Sequence, residues 1–423
     1  MTATVVERPA PRAEQAPDWR GRLRRGLLYA LLVFVLLSLV RQITGATDLT
    51  SAGTLSAALG LSVPIGMAAL GGLFSERAGV VNIGLEGMMI FGTWFTGWAG
   101  YQWGPWLGVV FGVLGGALFG LVHAVATVTF GVDHVISGVA INIIALGATR
   151  YLSSQLFVGK PGGGVNQSPR VDDVKKVSVP WLSSGYDALG RVEHHRWFLV
   201  SDLAGLVRGL TGQLSLLTLI ALALLPLSYL LLWRTNLGLR IRSVGENPYA
   251  AESLGVPVYS VKYLAVTLSG ALAGLGGAFL VVVYGGNYVE NQTGGRGYIG
   301  LAAMIFGNWH PAGLAAGSGL FGFFDALRLR QGTLAVHALL LFVTIVMGLL
   351  LLRAAWKRQW VQGVGFAVIG GLAAWWYFAT DSVPTVLVPL VPYVATLLVL
   401  AMSAKRLRPP AADGLPFRRG GGG

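Results

Sequence analysis

LSLLTLIALALLPLSYLLLWRTNLGLRIRSVGENPYAAESLGVPVYSVKYLAVTLSGALAGLGGAFLVVVY, from Leu214 to Tyr284, holds two long apolar runs separated by a polar stretch of helix-forming composition. Each run is long enough to cross the roughly 30 Å hydrocarbon core of a bilayer, which needs about 20 apolar residues in a helix. Further apolar segments lie at about 26–40, 54–74, 84–101, 105–128, 134–157, 298–309, 311–328, 335–352, 363–379 and 383–402. With 54% hydrophobic residues and only 12% charged ones, the chain has more apolar surface than one water-soluble core can bury. Lipid therefore has to be its solvent, and in lipid a backbone satisfies its own polar groups by forming helices. The expected fold is all-α, a polytopic transmembrane bundle of about 10–12 spans. The segment 298–309 is too short for a perpendicular crossing and is expected to be tilted, broken or re-entrant.

The 61 glycines are about twice the ~7% of an average chain. Gly112, Gly116 and Gly120 fall on one helical face, and the same spacing occurs at Gly270 and Gly274 and at Gly313 and Gly317. Small residues four apart let helix backbones approach closely in lipid. Pro64 and Pro226 fall inside apolar runs and are expected to kink them. A Gly-rich helix, a short stretch with an acid and Asn, and a short helix recur at 63–101 and 266–309, a pattern that two-repeat transporter architectures produce and that shared composition alone also produces.

A formal charge of +13 would point to nucleic acid if the basic residues shared one soluble face. They lie instead mostly at the ends of apolar runs, as membrane topology requires. If the amino terminus is cytoplasmic and all twelve segments cross, the inner loops carry most of the Lys and Arg. The long outer stretch 158–213 holds most of the remainder, and Arg328 and Arg330 are the misfits. Residues 1–25 are read as a basic cytoplasmic tail and 403–423 as a second one, flanking a membrane domain over 26–402. A cleavable signal peptide is the rival reading of the start, but no clear small-residue cleavage site follows.

Between the runs, Gly245, Asn247 and Pro248 make a turn and a helix start, Tyr249 to Leu254 can form a short helix, and Gly255 can end it. An exposed helix between two spans calls for a docking partner. GLRIRSVGENPYAAESLGV resembles the coupling loop of the ABC permease family for branched-chain amino acids, simple sugars and nucleosides. The resemblance extends through ERAGVVNIGLEGMM (Glu76–Met89), DHVISGVAINIIALG (Asp133–Gly147), ENQTGGRGYIGLAAMIFGNWHPAG (Glu290–Gly313) and RPPAADGLPFRRG (Arg408–Gly420). NIGLEGMM and VGENPYAA are most similar to the nucleoside branch, whose members are linked to basic membrane proteins.

The resemblance implies cytoplasmic ABC ATPase subunits, a second homologous permease subunit and an external substrate-binding protein or lipoprotein. It assigns ATPase coupling to Arg240, Gly245, Glu246, Asn247, Pro248, Ala250, Ala251 and Gly255 in the loop 234–260. It implies a bacterial plasma membrane protein with both termini cytoplasmic. One departure is an apolar insertion over about 335–379, whose role the family does not supply.

The chain has no phosphate-cradling Gly-x-x-x-x-Gly-Lys-Ser/Thr: Lys160 is followed by Pro161, and no other Lys follows Gly. The ATPase is therefore expected in a separate chain. No cofactor and no metal site is expected; His194 and His195 beside Glu193 lack spaced partners, and Gly317, Ser318 and Gly319 do not make a nucleophile elbow, with no intramembrane Asp or His placed to serve that serine.

Polar residues within spans are the candidates for a substrate path, since facing lipid costs several kcal/mol. They are Asn82, Glu86 and Asn142 in the first half and Asn287, Asn291, Gln292 and Asn308 in the second. Amides can match a nucleoside's hydroxyls and ring nitrogens with donor and acceptor together. The competing reading is that these groups hydrogen-bond across helices or cap broken ones. Rival functions are permeation of sugars or amino acids, ion-coupled transport, and, more remotely, an intramembrane enzyme. Glu86 and Asp325 are almost the only acids within spans, thin material for a proton relay.

Overall fold

The computed structural model describes residues 19–178, 188–330, 332–391, 394 and 407–419. In chain order its helices are α1 (Trp19–Thr44), α2 (Ala52–Arg77), α3 (Leu85–Trp103), α4 (Pro105–Ala124), α5 (His134–Leu156), α6 (Ala188–His194), α7 (Val200–Thr211) and α8 (Leu216–Arg234). They continue with α9 (Asn236–Glu246), α10 (Pro248–Ser253), α11 (Val258–Phe279), α12 (Arg296–Phe306), α13 (Pro311–Leu329), α14 (Thr333–Trp356) and α15 (Trp360–Ala379). Two-residue strands β1 (Lys176–Val177) and β2 (Leu214–Ser215) pair antiparallel in the long connection.

Every expected apolar segment but the last is helical; the last, 383–402, lies largely outside the described residues. Among the described residues, 7 stretches are long and apolar enough to cross a membrane: 47–77, 105–129, 134–156, 216–234, 258–285, 333–356 and 360–379. Helix α1, described from Trp19 onward, takes in part of the basic stretch expected to precede it. Helix α12 has 11 residues, which at ~1.5 Å per residue spans about half of the hydrocarbon core.

The bundle is built around α2 and α11, each with 78% of its apolar window buried, against 17% for α15. Their neighbours are α3 and α4 on one side and α12 and α13 on the other. Glycine makes the tightest contact possible: a Cβ on Gly116 would lie 2.3 Å from Gly270 O, and one on Gly274 would lie 2.4 Å from Gly112 O. Helices α4 and α11 thus run antiparallel along the glycine faces read from the sequence. Each ends in a single π-helical turn, Val125–Thr129 and Leu280–Gly285, the kind of irregularity that frequently marks functional sites in helices. Gly313 plays the same part between α12 and α13, where its Cβ would lie 2.3 Å from Gly307 O.

The insertion 335–379 is a helical hairpin, α14 and α15, set against α1 at the edge of the bundle. Its outward face carries Val361, Trp375 and Phe378, all more than two-thirds exposed, as a lipid-facing surface demands. The described parts of the connection, 158–178 and 188–213, fold as a cap on one end of the bundle. A buried ion pair, Arg41 to Asp202 at 2.7 Å, ties α7 to α1, and Asp202 also accepts hydrogen bonds from Ser38 and Thr50. Glu193 accepts from the Ala52 N–H at 2.8 Å, closing the start of α2. The connection 234–257 lies at the opposite end.

Candidate functional site

The break in the second half of the chain requires a partner before it can exist in lipid. The first N–H groups of α12 have no carbonyl within the helix, and at membrane depth water cannot take them. Glu86, in the first turn of α3, supplies what is missing. Its Oε1 accepts from Thr293 Oγ1 at 2.6 Å and from Gly295 N at 2.9 Å, and its Oε2 accepts from Gly297 N at 2.6 Å. A carboxylate at this end of a helix also meets the positive end of its dipole. Gly297 is required for the approach, since a Cβ there would lie 2.5 Å from Glu86 Cα.

Asn142 of α5 completes the joint. Its Oδ1 accepts from Gly87 N at 2.7 Å, and its Nδ2 donates to Ile83 O at 3.0 Å and Tyr298 Oη at 2.9 Å. The similar stretches 63–101 and 266–309 therefore meet at their breaks. Beside them is a cavity of about 240 Å³ lined by Glu86, Asn142, Asn291 and Tyr298, with Ile143 and Leu146 on its apolar wall. Asn291 holds a left-handed backbone at φ 59. Gln292 accepts from Val289 N at 2.6 Å while its buried Nε2 has no protein partner. Asn287 is half-buried in the same loop.

Two of the expected residues lie elsewhere. Asn82 is fully buried and donates to Ser269 Oγ at 2.9 Å, leaving Oδ1 without a protein partner. Asn308 is exposed in the turn between α12 and α13, where its Oδ1 accepts from Arg408 N at 2.8 Å. Asp325 is held by Arg296 at 2.5 Å and Arg328 at 2.7 Å, so the acid is matched by two cations, and Arg330 reaches Asp48 at 3.8 Å. These contacts account for the basic pair that the charge pattern left over.

A larger cavity, about 550 Å³, opens at the capped end of the bundle between α2, α8 and the π-helical turn after α11. Ser56, Gly60, Lys176, Arg208, Gln213 and Tyr284 are among its lining residues. Its volume falls in the range of ligand pockets, ~300–1,000 Å³. Sequence reasoning did not find these residues. Tyr284, immediately before Gly285 and Gly286 at the end of a span, was the one available signal; Lys176 and Arg208 come from the connection whose path composition does not reveal.

At the other end, α9 and α10 form a knuckle. Thr235 caps α9 through Gly238 N at 3.1 Å, and Asn247 caps α10 through Ala250 N at 3.0 Å, with Pro248 in the first position. Gly255, at φ 82, ends the helix, a conformation that glycine adopts without the Cβ penalty. Ile241, Val244, Pro248 and Ala251 face inward, whereas Leu239, Arg240, Ala250 and Leu254 face out, Leu254 with 86% of its surface exposed. The knuckle is seated on the end of α2: a Cβ on Gly245 would lie 2.2 Å from Arg77 O, and Glu246 is 4.0 Å from the Arg77 guanidinium. Arg77 in turn donates to Trp309 O at 2.7 Å, which brings the α12–α13 turn into the same contact.

The chain is thus a polytopic helical bundle with a half-length helix clamped in its interior and an exposed knuckle between two spans. Residues 54–355 match the family described as branched-chain amino acid transport system / permease component, and the chain belongs to that family. It is 32% identical over 371 residues to the guanosine ABC transporter permease protein NupQ of Bacillus subtilis, covering 86% of this chain and 96% of that one. The nucleoside ABC transporter permease protein NupC of Lactococcus lactis is 33% identical over 363 residues, 84% of this chain and 93% of its own. A putative glucose ABC transporter permease, TsgC13 of Haloferax volcanii, is 33% identical over 293 residues, 68% and 80% of the two chains. No solved structure gives a significant match.

Proposed function

We propose that this chain is the membrane-spanning permease subunit of an ABC importer for nucleosides, driven by ATPases on separate chains. The observation that carries the reading is the α9–α10 knuckle, exposed at Leu254 yet bolted to Arg77 and, through it, to Trp309. A push on that surface reaches α2 and the α12–α13 turn with no flexible linker between. Near-full-length similarity to permeases named for guanosine and for nucleosides supports the cargo.

In this reading Arg240, Gly245, Glu246, Asn247, Pro248, Ala250, Ala251 and Gly255 build the ATPase-facing knuckle. The end bearing it, which also carries Arg77, Arg234, Arg240 and Arg242, is cytoplasmic, as are both termini. The capped end faces the substrate-binding protein, and a second permease subunit completes the path. Asn142, Asn287, Asn291 and Gln292 offer amide donors and acceptors to a nucleoside, with Glu86 holding α12 in place; Asn82 and Asn308 are assigned to the cytoplasmic half of the same route.

The test is uptake into proteoliposomes containing the assembled transporter, its ATPases and the binding protein. Nucleoside uptake should require ATP and stop with orthovanadate. Uptake that ignored vanadate and collapsed with a protonophore would refute the reading in favour of ion coupling, and uptake of glucose but no nucleoside would refute the cargo.

A further inference from the structure

Residues 407–419 lie across the end of the bundle that bears the knuckle, with no regular secondary structure but with fixed contacts. The Arg408 N–H donates to Asn308 Oδ1 at 2.8 Å, the Ala411 N–H to Glu246 Oε2 at 3.3 Å and the Ala412 N–H to Gly245 O at 2.9 Å. Phe417, 7% exposed, is wedged between Tyr249 of α10 and Tyr259 of α11, with ring centroids 5.1 and 5.6 Å away. Arg419 reaches Glu252 at 3.2 Å. Gly79, at φ 76, lets the segment come this close, since a Cβ there would lie 3.1 Å from Ala412 O. Asp413 faces Glu76 and Arg77 of α2 and Lys262 of α11.

The segment thus touches α9, α10, the start of α11, the end of α2 and the α12–α13 turn. Helix α10 is only six residues long and packs chiefly on its neighbours α9 and α11. A covering lid would hide the outward surface of the knuckle. This segment leaves that surface open, with Leu239 and Leu254 still 57% and 86% exposed. It fills the space behind the knuckle instead.

We propose that residues 408–417 are a positioning strut that makes α10, the end of α2, the start of α11 and the α12–α13 turn move as one body during coupling. The proposal rests on the permease reading above and assigns the segment a part in it. Phe417 is the wedge, and the Gly245 and Glu246 contacts are the bolts. Truncating the ring to a methyl removes most of its buried apolar surface and weakens seating by about tenfold or more.

The experiment measures nucleoside moved per ATP hydrolysed by the full transporter with its binding protein, comparing the native chain, a deletion of 408–423, Phe417→Ala and Phe417→Leu. The deletion and Phe417→Ala should hydrolyse ATP but move less substrate per ATP, the deletion losing most of the coupling and Phe417→Ala part of it, with Phe417→Leu close to native. Because this chain has no cysteine, a Tyr259→Cys/Phe417→Cys pair is the one thiol pair within it that a short bifunctional reagent can bridge, with the reagent-treated native assembly as the control. The unbridged pair should be poorly coupled and bridging should restore coupling. Unchanged stoichiometry in Phe417→Ala, or transport stopped by bridging, would overturn the strut, the second result making the segment a lid that has to leave. If the deletion does not assemble, Phe417→Ala and the bridged pair still decide. Failure of the permease reading shows separately, as vanadate-insensitive uptake by the native chain.

Discussion

Glu86 is the residue whose replacement tests the architecture of the broken helix most directly. Its carboxylate takes three donors, Thr293 Oγ1, Gly295 N and Gly297 N, at 2.6–2.9 Å. In Glu86→Gln a single oxygen remains. If it faces Thr293 and Gly295, the new amide N–H opposes Gly297 N–H, donor against donor; if it faces Gly297, Gly295 N–H is left unpaired. One charge-assisted bond is lost, worth ~1.5–3 kcal/mol, together with ~0.3–1 kcal/mol of charge–dipole attraction at the helix end. Glu86→Gln should therefore loosen the start of α12 by ~2–4 kcal/mol. Glu86→Ala strands both backbone donors and should cost ~4–6 kcal/mol. Hydrogen exchange read by mass spectrometry in nanodiscs measures this locally. Amides from Gly295 to Ile299 should exchange roughly 30-fold faster or more in Glu86→Gln, faster again in Glu86→Ala, while α4 stays protected. Equal protection at 295–299 in the native chain and Glu86→Ala would refute the clamp.

The glycine seam predicts a contrast between two substitutions of the same kind. Gly116→Ala puts a methyl 2.3 Å from Gly270 O and should lower thermal stability by ~1–3 kcal/mol or more. Gly147→Ala meets nothing within 4 Å and should be neutral or stabilising by up to ~1 kcal/mol; thermal melts in one detergent compare them, and equal melts would remove the seam from the account. The strut should respond to acid. Burial pushes the Asp413 carboxyl up from its ordinary 3.8 to about 6, and hydrogen bonds with Glu76 and the Gly414 backbone, together with the Lys262 and Arg77 charges, oppose the rise. A carboxyl raised in the docked state holds its proton more tightly there, so its contribution to docking is complete below the undocked value, is lost as pH rises toward about 6, and is level above it. Spin labels at Leu415→Cys and Ser260→Cys should report a larger docked fraction at acid than at neutral pH, with the difference reduced in Asp413→Asn; docking that strengthens with rising pH would contradict this.

Much of this is legible in the sequence alone. The spans could be read because a chain this apolar has one solvent open to it, and in that solvent a helix is the local answer to every backbone N–H and C=O. The knuckle could be read because Asn247, Pro248 and Gly255 act on neighbours within four residues. The seam between α4 and α11 could be read as two glycine faces, though not as partners of each other. The half-length of α12 was visible in the shortness of 298–309.

What tertiary structure alone decided is what binds residues far apart in sequence. Glu86 was singled out as a polar group in a span, but its duty depends on donors that lie more than 200 residues downstream. The amides Asn82 and Asn308 belong to the same composition class as Asn142, and only packing separates them from the joint. The 550 Å³ cavity draws on α2, the capping connection and α11, and the bracing of the knuckle by Ala412 and Phe417 joins residues separated by more than 160 positions. Sequence fixes contacts whose energy is local or whose solvent leaves no choice; which distant polar groups meet is settled only when helices take their places, because each such bond exists only at one packing.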